Sequence, residues 1–300
     1  AGNKIDMRVS TYPTMHGEKV VIRLLSRGEI ISLEDLGFED AERKKFERLI
    51  NKPYGVLLVT GPTGSGKTTT LYSALQRINS QDKNIISIED PVENELAGIS
   101  QAQVNNKAGM TFAAALRSIL RQDPDVIMIG EIRDPETADI AVRSAITGHL
   151  VFSTLHTNTA IGAISRLADL GVEPFLISSG LIGLIAQRLV RCICSNCKAV
   201  VKKSEAKPER IGIEGNPDIF KGKGCKECRM TGYSGRLGLF EFVEVDAQLC
   251  SLIAKGAKDS ALTEVVRKSG VKSLRARGID RVLAGQTTVD EVLRVTEADE

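Results

Sequence analysis

Residues Gly61-Pro62-Thr63-Gly64-Ser65-Gly66-Lys67-Thr68 keep the spacing G-x-x-x-x-G-K-[ST], and Thr69 continues the run. Each residue type has a physical reason at its place. Glycines let successive backbone N–H groups turn inward around a phosphate. A helix predicted to start near Thr68 aims its positive end at the same point. Lys67 can reach the β- and γ-phosphates of a nucleotide, and the Thr68 hydroxyl can ligate Mg²⁺. With glycine at ~7% of residues, a chance match in a chain this long is on the order of 1%.

Three further clusters follow short apolar runs. Glu89-Asp90-Pro91-Val92-Glu93 follows residues 85–88, Gly130-Glu131 follows 126–129, and His156 follows 150–154. If these runs are strands of one parallel sheet, their carboxyl ends meet where such sheets bind ligands. A phosphate loop, carboxylates and a histidine at one place suit nucleoside triphosphate hydrolysis, which needs positioning, charge neutralisation and an oriented water. Glu131 is the candidate for orienting or deprotonating that water. The aspartate that usually precedes it is Gly130, so Mg²⁺ is expected on Thr68 with water-mediated contacts to Glu89 or Glu131. The plain alternative for Glu131 is a surface carboxylate paired with Arg133. Glu89, nearest its strand end, is the first choice in its cluster, and Asp90 suits a turn equally well. His156 is placed to sense a γ-phosphate. His149 precedes the same run and belongs at the far end of the sheet.

Cys194-x-x-Cys197 and Cys225-x-x-Cys228 offer four thiolates for a structural, tetrahedral Zn²⁺ site. The 27 residues between the pairs exceed ordinary finger spacing and predict a looped-out lobe. Residues 188–229 hold eleven Lys or Arg against five Asp or Glu, a net +6 and a basic face for anionic lipid or an acidic partner. Cys192 reads as a bystander. The alternatives are four buried thiols without metal and a zinc ribbon on DNA.

The elements that must position these residues alternate. Strands are expected over 56–60, 85–88, 126–129 and 150–154, and helices over 40–51, 69–78, 112–121 and 135–146. Short apolar runs alternating with helices mean βαβ units and an α/β fold with a mainly parallel sheet. Ser32-Leu33-Glu34-Asp35 has a capping-box pattern. Residues 5–11 and 19–25 alternate as strands and predict a hairpin, marginal by itself, so the chain is expected to begin inside a truncated domain. Residues 209–224 read as loop, and the pattern after about 240 is helical.

Composition narrows the rest. The chain has 300 residues, 42% apolar and 26% charged, which excludes a disordered or fibrous protein. A net charge of +2, no tryptophan and 4% aromatics argue against a nucleic-acid partner. The longest uncharged apolar run, 175–186, is too short to span a bilayer, so no transmembrane segment is expected, and the reading is a cytoplasmic protein.

Taken together, these motifs resemble the bacterial type II secretion (GspE) and type IV pilus extension (PilB) ATPase family. The resemblance runs through RVSTYPTMHGEKVVIRLL, GPTGSGKTTTLY, IEDPVE, ILRQDPDVIMIGEIRD, TGHLVFSTLHTN, the cysteine pairs and GYSGRLGLFE. It implies a RecA-like P-loop ATPase core at 29–188, a zinc-binding lobe at 189–238 and a helical region at 239–300. Residues 1–28 would be the end of a truncated N-terminal domain. It further implies Glu131 as catalytic glutamate in an atypical Walker B element, an aspartate box at Glu89–Glu93 and a histidine box from His149 to His156. Arg8 and Arg23 match arginines that the family brings to the nucleotide from the preceding domain. Members are homo-hexameric rings peripheral to the inner membrane, working with a membrane platform protein and a cytoplasmic docking protein. The four-cysteine site marks the secretion and assembly branch. The competing functional readings are a zinc-dependent, nucleotide-gated interaction module without turnover and a nucleic-acid motor of the same fold.

Overall fold

The computed structural model describes residues 6–25, 30–215 and 217–296. Strands β1 (Asp6–Thr14) and β2 (Gly17–Leu25) form the expected antiparallel hairpin as a two-stranded sheet, with Arg8 directly opposite Arg23. Met7, Val9, Tyr12 and Val20 on it are each more than half exposed. Ile5 lies outside the described residues, as do the side chains of Arg8 and Arg23.

The segment with the capping-box pattern folds as a turn, closed by Asp35 N–H to the Ser32 carbonyl at 3.1 Å. Helix α1 (Asp40–Ile50) starts later, behind a Glu39/Glu42 capping box. Then the chain alternates: β3 (Gly55–Thr60), α2 (Lys67–Ile78), β4 (Ile85–Glu89), β5 (Ser100–Gln103), α3 (Phe112–Ile119), β6 (Val126–Ile129), α4 (Pro135–Ile146), β7 (Leu150–Leu155), α5 (Gly162–Asp169) and α6 (Pro174–Gly180). Long strand β8 (Leu181–Ile193) leads into β9 (Lys198–Val201), α7 (Lys203–Ala206) and β10 (Ile219–Gly222). Strand β11 (Tyr233–Glu244) returns, followed by helices α8 (Ala247–Ala254), α9 (Asp259–Lys268), α10 (Leu274–Leu283) and α11 (Val289–Val295).

The central sheet has the order β11-β8-β3-β7-β6-β4-β5, parallel throughout except for β11 against β8. Successive side chains of a strand point to opposite faces. Thus Val56 and Leu58 of β3 enter one apolar cluster with α3, α4 and α5, while Leu57 and Val59 enter another with α1 and α2. Both faces are covered, which is why these strands read as continuous apolar runs rather than alternating ones. The second cluster is filled by stacked Phe38 and Phe240 and by Phe46 edge-on to Phe242.

Three findings refine or correct the sequence reading. The apolar run 175–186 divides into helix α6 and strand β8, which periodicity alone does not separate. Strands β8 and β11 pair across 183–193 and 233–244, so boundaries at 189 and 239 would cut through the central sheet. Within 189–238, residues 194–232 lie outside these two strands. The long gap between cysteine pairs is also not all loop. Strands β9 and β10 pair within it, and Ala206, Ile211, Ile213 and Ile219 pack against Val282, Val289 and Val292 of the C-terminal helices.

Candidate active site and metal centre

The phosphate loop leaves β3 and enters α2. Gly61 packs so closely that a Cβ would lie 2.5 Å from the Gln187 carbonyl oxygen, and Gly66 turns into the helix at φ +89°. Lys67 is 8% exposed, and its ammonium donates to the carbonyls of Gly61 at 2.8 Å and Pro62 at 3.1 Å. Burial lowers its pKa. The Glu131 carboxylate opposes that, the Arg188 charge adds to it, and Glu93 opposes it more weakly.

The strand ends are tied to one another. Thr60 Oγ1 accepts from Thr157 N–H at 2.8 Å, linking β3 to the loop after β7. Thr154 Oγ1 donates to the Gly130 carbonyl at 2.7 Å, linking β7 to the turn after β6. A Cβ at Gly130 would lie 3.3 Å from Glu89 Cα, so neighbouring β4 leaves little room for the aspartate usual there.

These ends open into a cavity of about 620 Å³. Lys67 and Thr68 from the first turn of α2 line it, together with Glu93, Glu131 and His156. Ile31, Asp35, Leu36, Gly235, Arg236 and Gly238 line it too. Glu131 pairs with Arg133 and has its second carboxylate oxygen 3.4 Å from His156 Nε2. The ion pair with Arg133 therefore forms, and both of its residues line the cavity. His149 lies at the other end of β7, with Nδ1 2.9 Å from the Ser144 carbonyl oxygen.

Glu89 departs from expectation. It borders the cavity, but its carboxylate is 2% exposed and accepts from Tyr72 Oη, from Ser87 Oγ at 2.6 Å and from Gln101 Nε2 at 3.1 Å. Three protein donors thus occupy most of this carboxylate's acceptor positions. Glu93, in the same box but not its first choice, lines the cavity and acts on Lys67. Arg133, Gln187 and Arg236 also line it and were not chosen from the sequence. Gln187 and Arg236 reach it on β8 and β11, and neither strand was expected.

The four cysteine Sγ atoms lie within 4.8 Å of one another. Cys194–Cys225, Cys197–Cys228 and Cys225–Cys228 are 3.9, 3.8 and 3.7 Å apart. These are far from a disulfide at ~2.05 Å. They match the ~3.8 Å edge of a tetrahedron around Zn²⁺ with ~2.3 Å Zn–S bonds. Backbone N–H groups of Cys225 and Gly232 donate to Cys228 Sγ, each at 3.2 Å. Burial raises the Cys228 pKa, but those N–H groups and the neighbouring thiols bring it down to about 6. Burial and the other thiols push Cys197 up to about 11. The quartet thus fits a zinc ion, and Cys192 is not in it.

Residues 1–294 match the model of the family described as type II/IV secretion system protein. The chain belongs to that family. It is 52% identical over 301 residues to the type II secretion system protein E of Aeromonas hydrophila, covering 99% of this chain and 60% of that protein. It is 50% identical over 297 residues to the type IV pilus assembly ATPase PilB of Thermus thermophilus, covering 97% of this chain and 33% of that protein. Among solved structures it is similar to the pilus retraction motor PilT with bound ADP. There the TM-score is 0.70 at 29% identity, covering 97% of this chain and 77% of the other. This secretion-family chain therefore spans about three fifths of the length of the protein E relative. Among its described residues no helix is long and apolar enough to cross a membrane.

Proposed function

We propose that this chain is the ATP-hydrolysing part of a homo-hexameric motor that powers pseudopilus or pilus assembly at the cytoplasmic face of the inner membrane. The observation that carries the reading is the meeting of Lys67, Thr68, Glu93, Glu131 and His156 in one cavity. It stands in a chain about half identical to secretion and pilus-assembly proteins.

The proposed roles are these. Backbone N–H groups of the loop from Gly61 to Thr69 and the start of α2 hold the phosphates of ATP. Lys67 shifts from the Gly61 and Pro62 carbonyls to the phosphate oxygens. Thr68 would hold Mg²⁺, which supplies neutralisation of charge on the β- and γ-oxygens when bound. Glu131 orients the attacking water, Arg133 and His156 fix its carboxylate, and His156 reports the γ-phosphate. Glu93 is the second acidic group on the nucleotide side, with Glu89 holding its loop from behind. Arg8 and Arg23 are proposed to complete the site from the hairpin of a neighbouring subunit. The cysteine lobe would hold Zn²⁺ structurally and offer its basic face to the membrane platform or docking protein.

The test is steady-state Mg²⁺-ATP hydrolysis across protein concentration for the native chain and Glu131→Gln. Specific activity that rises with concentration and vanishes in the variant is the expected result. Activity that survives in Glu131→Gln overturns that residue's role. Activity independent of concentration overturns the shared site.

A further inference from the structure

We propose that Tyr72 is a positioning residue that locks the carboxylate loop after β4 to the phosphate-loop helix, so that Glu93 faces Lys67. The inference rests on the ATPase reading above. Tyr72 lies on α2, five residues after Lys67, and is 2% exposed. Its hydroxyl sits at a junction of three groups. Glu89 Oε2 is one partner, and the backbone N–H groups of Glu93 and Asn94 are the others, at 3.2 and 3.5 Å.

Chemistry assigns the protons. Both N–H groups only donate, and a carboxylate only accepts, so the phenol proton goes to Glu89 and the phenol lone pairs face the loop. Burial first, and then the Glu89 carboxylate, push the Tyr72 pKa well up, so the phenol keeps that proton. Gln101 on β5 braces the same loop, donating to the Asn94 carbonyl at 3.0 Å and accepting from Leu96 N–H at 2.6 Å. One side chain of α2 thus fixes the backbone of a cavity-lining carboxylate relative to the lysine on its own helix.

Tyr72→Phe keeps the ring and removes the junction. In the full chain, kcat for ATP hydrolysis is expected to fall about tenfold to a hundredfold, the scale of an ångström-sized misplacement, with KM within about threefold. If Tyr72 acts through Glu93, the double variant Tyr72→Phe/Glu93→Gln is no slower than Glu93→Gln alone. Thermal midpoint and zinc content, measured on each variant, separate misfolding from misplacement. Should Tyr72→Phe lose its folded transition, Gln101→Leu probes the same loop and is expected to repeat the kcat loss. An unchanged kcat, a raised KM alone or additive losses with Glu93→Gln each overturn the proposal while the native chain turns over ATP. No turnover by the native chain overturns the ATPase reading and this inference with it.

Discussion

Around the central sheet, buried apolar side chains cover both faces, with Leu57 and Val59 turned one way and Val56 and Leu58 the other. The cysteine lobe has far less of its own, chiefly Ala206, Ile211, Ile213 and Ile219, completed by valines borrowed from α10 and α11. Burial at roughly 25 cal/mol per Å² sustains the first region, whereas the second is too small to close on apolar area alone. What it has instead is four Sγ atoms at tetrahedral separations and two N–H groups aimed at one of them. The difference assigns separate labours: the sheet mounts the groups at its strand ends, and the lobe carries a cysteine quartet that fits a metal ion.

Removing the ion tests this most severely. Structural Zn²⁺ in finger peptides is worth ~10–16 kcal/mol. One zinc per chain is expected by elemental assay. Chelation should expose amides of 194–232 to rapid hydrogen exchange while those of β3, β6 and β7 keep their protection. Amides of the lobe that stay protected without metal would break the comparison. Next in size, Phe46→Ala should destabilise the sheet domain by ~3–5 kcal/mol, read as a lower denaturation midpoint with the zinc retained. Zinc release in that variant would show one cooperative unit rather than two.

Glu291 ties β8 of the sheet to α11, the helix that lends valines to the lobe, and should be sensitive to acid. It is 2% exposed and bonds Arg191 of β8 and Arg294 of its own helix, α11. Burial raises its pKa, but both arginines and the Arg191 N–H bring it from 4.5 to about 2. A depressed carboxylate stabilises fully above its unfolded pKa and loses that stabilisation as pH falls through the folded one. Thermal midpoints should therefore drop between pH 4.5 and pH 2 in the native chain and less steeply in Glu291→Gln. Parallel curves would remove the link. The smallest effect belongs to a local bond: Thr111→Ala deletes the cap to Ala114 N–H at 3.2 Å and should cost ~1 kcal/mol, with zinc content unchanged.

The phosphate loop, the strands before its partners and the cysteine quartet were legible because each is a contiguous run or a fixed spacing. The helix starts at Thr111 and Asp134 are of the same kind, since their caps act three residues away. Strand β8 was not legible: its neighbours β3 and β11 are distant in the chain, and its apolar run fits a helix as well. Gln187 and Arg236 were missed for that reason.

Sequence by itself determined which groups this protein owns: a lysine after a glycine loop, carboxylates after apolar strands and two thiol pairs. Such features depend on neighbours within a turn or two, where backbone geometry is set locally. Only the tertiary structure decided their use. Glu89 and Glu93 are four residues apart, chemically alike and both at the cavity, yet Tyr72, Ser87 and Gln101 bury the first while the second is exposed. Two of those three donors arrive from α2 and β5, and a carboxylate's role follows from which donors its surroundings bring within hydrogen-bond reach.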